Sequence, residues 1–200
     1  MEASRITDMN NLKQIRFFVF DSDGVLFPNI VWEGVSIEGA PFRPKLRSYY
    51  DGQGISLMRA LGIKICIITN AAESHAAGIR GFVEKLNSLP SARKSEHEGG
   101  WSPIQLFEGR GGRRKLETLQ GWLQEQGGTL EESGAMGDDL VDVPMLKAVG
   151  FAAAPASAEQ AIKDICHFVS ERNAGEGAVR DVGNFFVAQH GKNPFELPFD

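Results

Sequence analysis

Cysteine is scarce in this 200-residue chain, with Cys66 inside an apolar run and Cys166 in a helical pattern. Two such thiols fit reduced, buried side chains and exclude a disulfide framework or a cysteine-built metal site. Histidine is nearly as rare, and His75, His97, His167 and His190 show no ligand spacing, which argues against zinc. No apolar run approaches the length that crosses a membrane, and residues 1–10 lack the apolar stretch of a signal peptide. No basic block marks a nucleic-acid surface: residues 110–115 are short and broken by glycines, and the net charge is −5. Repeats and low-complexity segments are missing as well. These absences lead to the expectation of a cytoplasmic protein with neither nucleic acid nor membrane as a partner.

What is present is an ordinary globular composition, 42% apolar and 24% charged, enough for one α/β domain over residues 1–200. The core is expected over residues 13–190, with an extended tail at 191–200. Apolar runs of strand length precede Asp21, again at 63–68, and at 104–107, 134–137, 151–154 and 168–169. Helical spacing follows at 51–62, 73–86, from Lys115 to the glycines at 127–128, at 141–149, 158–165 and 179–189. Residues 129–133 read as a further helix start. Prolines and glycines across 26–50 predict a small hairpin flap, and those across 87–113 an irregular loop. The alternation predicts a Rossmann-like parallel sheet with helices on both faces and no large cap domain.

Polar residues recur where the strands end. Asp21 and Asp23, Thr69 and Asn70, and Asp138 and Asp139 each follow an apolar strand, and in a parallel sheet they converge on one edge, where ligands bind. Lys115 enters from a helix start, although Arg113 and Arg114 beside it are alternative cations. Turn chemistry explains any one of these groups, since Asp and Gly favour turns. It does not explain their recurrence. Carboxylates with a backbone carbonyl make an oxygen-only site that suits Mg²⁺. Asp138, Asp139 and Asp142 also read as an acid cluster favoured by a helix dipole, but packing like charges together calls for a cation. An aspartate beside Mg²⁺ is a competent nucleophile toward phosphorus, with Asp23 placed two residues away for acid/base work. Thr69 and Lys115 then stabilise the transferring group.

The segments Asp21-Ser-Asp-Gly-Val, Ile-Ile-Thr69, Lys115-Leu and Gly137-Asp-Asp-Leu-Val-Asp142 resemble, in order, the four motifs of the haloacid dehalogenase superfamily of phosphatases. The Asp51-Gly-Gln-Gly-Ile segment, the 137–145 run and the Gly175-Glu-Gly-Ala-Val-Arg-Asp-Val182 segment further resemble its 3-deoxy-D-manno-octulosonate 8-phosphate phosphatase branch. That resemblance implies Asp21 as nucleophile and Mg²⁺ ligand, and Asp23 as acid/base that also lends Mg²⁺ its carbonyl. It implies Asp138 as the other ligand, Asp139 serving the metal through water, and Thr69 and Lys115 at the phosphoryl group, while Asn70, with Glu73 and His75, is placed to line the leaving-group side of the pocket. It also implies a capless homotetramer in which a neighbouring subunit covers the site, with the tail at 195–199 available to reach across. The expected substrate is a small sugar-acid phosphate. Two departures weaken that identification: the branch carries arginines where this chain has Tyr50 and Ala71, and neither replaces the bidentate fork that suits a carboxylate. The alternatives are a nonulosonate 9-phosphate or other sugar phosphate substrate, a non-catalytic oligomerisation module, and a sugar phosphomutase.

Overall fold

A computed structural model describes residues 9–31, 34–35, 41–42 and 44–198. Its centre is strand β1 (Phe17–Phe20), four consecutive buried apolar residues. Such a run fits a strand covered on both faces. β1 lies between β4 (Lys64–Ile68) and β6 (Ser133–Met136), and the sheet continues outward through β5 (Gln105–Phe107) on one side and through β7 (Phe151–Ala154) and β8 (Phe168–Val169) on the other. The order is β5-β4-β1-β6-β7-β8, and each pairing is parallel. A separate antiparallel pair, β2 (Gly34–Val35) and β3 (Pro41–Phe42), forms the hairpin expected between β1 and the first helix. Residues 32–33, 36–40 and 43 of the expected flap, and Phe199 and Asp200 of the expected tail, lie outside the described residues.

Alternation along β1 sorts the core onto the two faces of the sheet. Phe18 and Phe20 pack with α1 (Tyr49–Ala60), α2 (Ala77–Asn87) and α7 (Ala178–Gln189), through Ile55, Phe82 and Phe186 among others. Phe17 and Val19 pack with α4 (Arg113–Gln126), α5 (Val143–Ala148) and α6 (Gln160–Lys163), through Trp122, Leu146 and Ile162. Helices α1 and α7 meet backbone to backbone at Gly54 and Gly183. A Cβ on Gly183 would come within 2.7 Å of the Gly54 carbonyl oxygen, so the crossing requires both residues to lack side chains. The Asp51 carboxylate locks this joint by accepting from the amides of Gly177 (3.2 Å) and Val179 (3.0 Å) at the start of α7. The two distant segments singled out in the sequence, at 51–55 and 175–182, are therefore halves of one contact.

Several boundaries differ from the sequence reading. Residues 129–133 do not begin a helix. The Glu132 carboxylate is shared between Arg16 (2.8 and 3.0 Å) and the Thr129 amide (3.1 Å), and the Glu132 carbonyl accepts from the amides of Arg16 and Phe17, so the segment becomes a turn feeding β6. The 73–86 helix is a 3-10 turn (Glu73–Ala76) followed by α2, and the helix expected at 158–165 shrinks to α6. Helix α1 starts two residues early because Ser48 accepts from the Tyr50 amide. The tail is extended only in part, since Pro194–Glu196 form a 3-10 turn capped by Asn193. The 87–113 loop is more ordered than its glycines suggest. It contains a short helix α3 (Pro90–Arg93), and Arg59 pins it by donating to the carbonyls of Leu86 and Ser102 (both 2.9 Å) while covering the Trp101 ring.

Candidate active site

At the carboxyl end of β1 the amide of Asp21 still donates to the Met136 carbonyl (3.0 Å), which fixes Asp21 to the sheet. The chain then turns sharply, with the amides of Val25, Leu26 and Phe27 converging on the Ser22 carbonyl. Gly24 makes that turn at φ +85°, and a Cβ there would sit 2.0 Å from the Asp138 carboxyl carbon. Glycine thus permits both the left-handed backbone and the close approach of the β1 loop to Asp138. Thr69 follows β4, held by its amide on the Phe107 carbonyl (2.9 Å) and by its carbonyl on the Arg110 amide (2.8 Å). Its hydroxyl accepts from the Ala71 amide (3.1 Å). Asn70 packs against Gly111, where a Cβ would come within 2.6 Å of the Asn70 side-chain oxygen.

Lys115 occupies the first turn of α4, yet its side chain is only 2% exposed. Its ammonium lies 2.8 Å from an Asp21 oxygen and 2.5 Å from Asp142 Oδ1. Topology thereby resolves the choice of cation: Lys115 points inward, while Arg113 and Arg114 are exposed. Asp138 follows β6 and accepts from the Asn29 amide group (3.2 Å). Asp139 accepts from the Leu140 amide (2.6 Å), capping the 3-10 turn Leu140–Asp142.

Asp21, Asp138 and Asp142 are all buried and offer oxygens within 4.8 Å of one another. Burial pushes the Asp21 carboxyl up to about 7, opposed by Lys115 and aided by Asp142. Burial also pushes Asp138 up to about 7, aided by the charges of Asp21, Asp142 and Asp139. Lys115 loses to burial but gains more from its two carboxylates, and is held above its ordinary value. The two directions within the Asp21–Lys115 pair conflict. We read it as an ion pair, because the ammonium is bonded to two carboxylates at once. One ammonium nonetheless leaves the three acids with excess negative charge. An oxygen-only donor set in that state fits a hard divalent cation such as Mg²⁺.

Asp21, Asp23, Thr69, Asn70, Lys115, Asp138 and Asp139 all line one cavity of about 840 Å³. Every site residue expected from the sequence is brought together there. Glu73 and His75 also line it, Glu73 in the left-handed backbone region at φ 51°. Three participants were missed. The sequence places Asp142 in a dipole-favoured acid cluster, and only its burial against Lys115 distinguishes it. Asn29 and Lys45 come from the proline- and glycine-rich stretch after β1, where no periodicity marks them. Neither Tyr50 nor the 88–112 loop lines the cavity.

The profile of the haloacid dehalogenase-like hydrolases matches residues 3–182. The chain belongs to that family, and it is a hydrolase whose curated relatives are phosphoric monoester hydrolases. It is 27% identical over 184 residues to the 3-deoxy-D-manno-octulosonate 8-phosphate phosphatase of Salmonella typhi, covering 92% of this chain and 85% of that protein. A probable phosphatase structure from Pseudomonas syringae pv. phaseolica is 27% identical at TM-score 0.73, covering 92% of this chain and 90% of the other. The fold is shared also with the Moraxella catarrhalis 3-deoxy-D-manno-octulosonate 8-phosphate phosphatase, solved with magnesium, phosphate and the sugar acid. That similarity is 23% in identity and 0.74 in TM-score, over 94% of this chain and 93% of the other.

Proposed function

We propose that this chain is one haloacid dehalogenase-like domain that hydrolyses the phosphate monoester of a small sugar acid, with Mg²⁺ as cofactor. The observation that carries the reading is the buried Asp21 carboxylate, held 2.8 Å from the Lys115 ammonium on a cavity shared with Asp23, Thr69 and Asp138. In this reading an Asp21 oxygen attacks phosphorus, the ester P–O bond breaks, and Asp23 gives its proton to the departing sugar oxygen. Water then attacks the aspartyl-phosphate and surrenders a proton to Asp23, which frees Asp21 and phosphate. Lys115, with the Thr69 hydroxyl and nearby amides, holds the phosphoryl oxygens throughout. Asp21, Asp138 and the Asp23 carbonyl would hold Mg²⁺, and Asp139 would serve it through water. When bound, the ion supplies positive charge opposite the phosphoryl oxygens.

The substrate reading, 3-deoxy-D-manno-octulosonate 8-phosphate, is supported by the 27% relative that shares nearly the whole chain. Asn70, Glu73 and His75 line the same cavity and would be available to the leaving group. A homotetramer is supported by apolar side chains around the mouth, since Ile30, Val31 and Leu46 are each more than half exposed, and by the exposed Phe195 of the tail. Among the described residues no helix is long and apolar enough to cross a membrane, which accords with the cytoplasmic reading.

The test is phosphate release from 3-deoxy-D-manno-octulosonate 8-phosphate beside a nonulosonate 9-phosphate, with Mg²⁺ or with chelator, using Asp21→Asn as control. Release that needs Mg²⁺ and vanishes in the variant supports the chemistry, and the faster substrate identifies the leaving group. No release from either would favour the non-catalytic module instead.

A further inference from the structure

Lys45 stands on the arm that leads from β3 into α1, and its ammonium is paired with Asp23 Oδ1. Its stem is guided on two sides. The ammonium lies 5.0 Å from the centroid of the Phe27 ring, and the aliphatic carbons cross Gly78 of α2, where a Cβ would meet Lys45 Cδ at 3.5 Å. The Lys45 side chain is 18% exposed and that of Asp23 43% exposed, and both line the catalytic cavity. A long, costly-to-order side chain has therefore been laid along a prepared track to end on one carboxylate oxygen.

We propose that Lys45 is a positioning residue for the acid/base step, an inference that rests on Asp23 being the acid/base of the proposed reaction. A carboxyl group that rotates freely presents either oxygen, in any direction, to the ester oxygen. With Oδ1 fixed by the ammonium, Oδ2 is left as the oxygen that carries the proton. That proton passes to the sugar oxygen as the P–O bond breaks, and is replaced from water in the second half of the reaction. Lys45 exchanges no proton and forms no bond to phosphorus. Its contact with Asp23 places it at the reacting end of the substrate, so it does not stand in for the arginines missing at Tyr50 and Ala71.

Leaving-group dependence tests this. A sugar alkoxide needs a proton to leave, whereas p-nitrophenolate leaves without one, so loss of a well-placed acid weighs more heavily on the sugar ester. Lys45→Met keeps the stem over Gly78 and removes the charge. Its kcat/KM should fall on the order of 10- to 100-fold more for 3-deoxy-D-manno-octulosonate 8-phosphate than for p-nitrophenyl phosphate, since acid/base assistance is worth roughly 10²–10⁴-fold. The loss should appear in kcat more than in KM, and Lys45→Arg should recover part of it. Asp23→Asn, measured in parallel, should show the same imbalance more strongly. Equal losses on both substrates for Lys45→Met, with the imbalance retained in Asp23→Asn, would overturn the role of Lys45. Equal losses in Asp23→Asn would instead remove the acid/base reading on which it stands.

Discussion

Lys115 and Asp142 are joined at 2.5 Å beneath the site, and the same Asp142 carboxylate accepts through its other oxygen from the amides of Asp138 (3.1 Å) and Asp139 (3.4 Å). A single buried acid thus fixes both the cation beside Asp21 and the loop that presents Asp138. Replacing it with alanine leaves the Lys115 ammonium with Asp21 as its one carboxylate partner and frees two amides. Asp142→Ala should lower stability by about 1–3 kcal/mol, the scale for leaving buried hydrogen-bonding groups unsatisfied. Urea unfolding of the purified variant gives the number; a loss below about 1 kcal/mol, ordinary for a surface pair, would contradict the arrangement.

Protons and a cation compete for the buried acids of the site. Asp138 is pushed up to about 7, and Asp51, at the joint between α1 and α7, to about 6, with burial the leading cause in each. These values exceed those of the unfolded chain, so the metal-free folded protein holds protons that the unfolded chain releases above about pH 4. The resulting stabilisation is complete below that pH and is lost as pH rises through 6 to 7. Thermal midpoints of the metal-free protein should fall from about pH 5 to about pH 8, and Mg²⁺ should restore more at the upper end, where Asp21 and Asp138 are ionised. A midpoint that climbs over this window in the absence of metal would count against the assignment.

Ser22, between the two acids of the β1 loop, is fully buried and its hydroxyl has no hydrogen-bond partner among the described residues. Its carbonyl, not its side chain, organises the turn. Ser22→Ala removes an unsatisfied polar group and should be neutral or raise stability by up to about 1 kcal/mol. Differential scanning calorimetry decides it, and a clear drop in midpoint would mean that the hydroxyl has a structural partner.

At the joint between α1 and α7, Gly183→Ala places a methyl 2.7 Å from the Gly54 carbonyl oxygen. Backbone cannot yield as a side-chain tip does, so the substitution should cost about 1–3 kcal/mol by overpacking. Chemical denaturation should show the loss as a shifted midpoint with an unchanged slope, because the surface exposed on unfolding is nearly the same.

How much of this was legible beforehand follows from the physics of each element. Strands buried on both faces leave uninterrupted apolar runs, and the polar residue that ends each run marks the ligand edge, so Asp21, Thr69 and Asp138 could be placed on one edge without coordinates. Asp142 and Lys45 could not. Their positions depend on which way a short turn and a hairpin arm deliver a side chain, and no periodicity encodes that. The false helix at 129–133 failed for a related reason. Its local pattern favours a helix start, and Thr129 and Glu132 do make the reciprocal capping contacts, but the amides of Arg16 and Phe17 take the Glu132 carbonyl that a helix would have used.

Every strand that bears a site residue has a neighbour on both sides: β1 is central, β4 is followed by β5, and β6 by β7. The outermost strand β8, two residues long with Val169 exposed, bears none. Local opening begins at such edges, whereas the middle of a sheet opens only when the whole fold does. Amide protons beneath Asp21 should then be among the slowest to exchange with solvent, and heating should erode β8 well before it disturbs the catalytic groups.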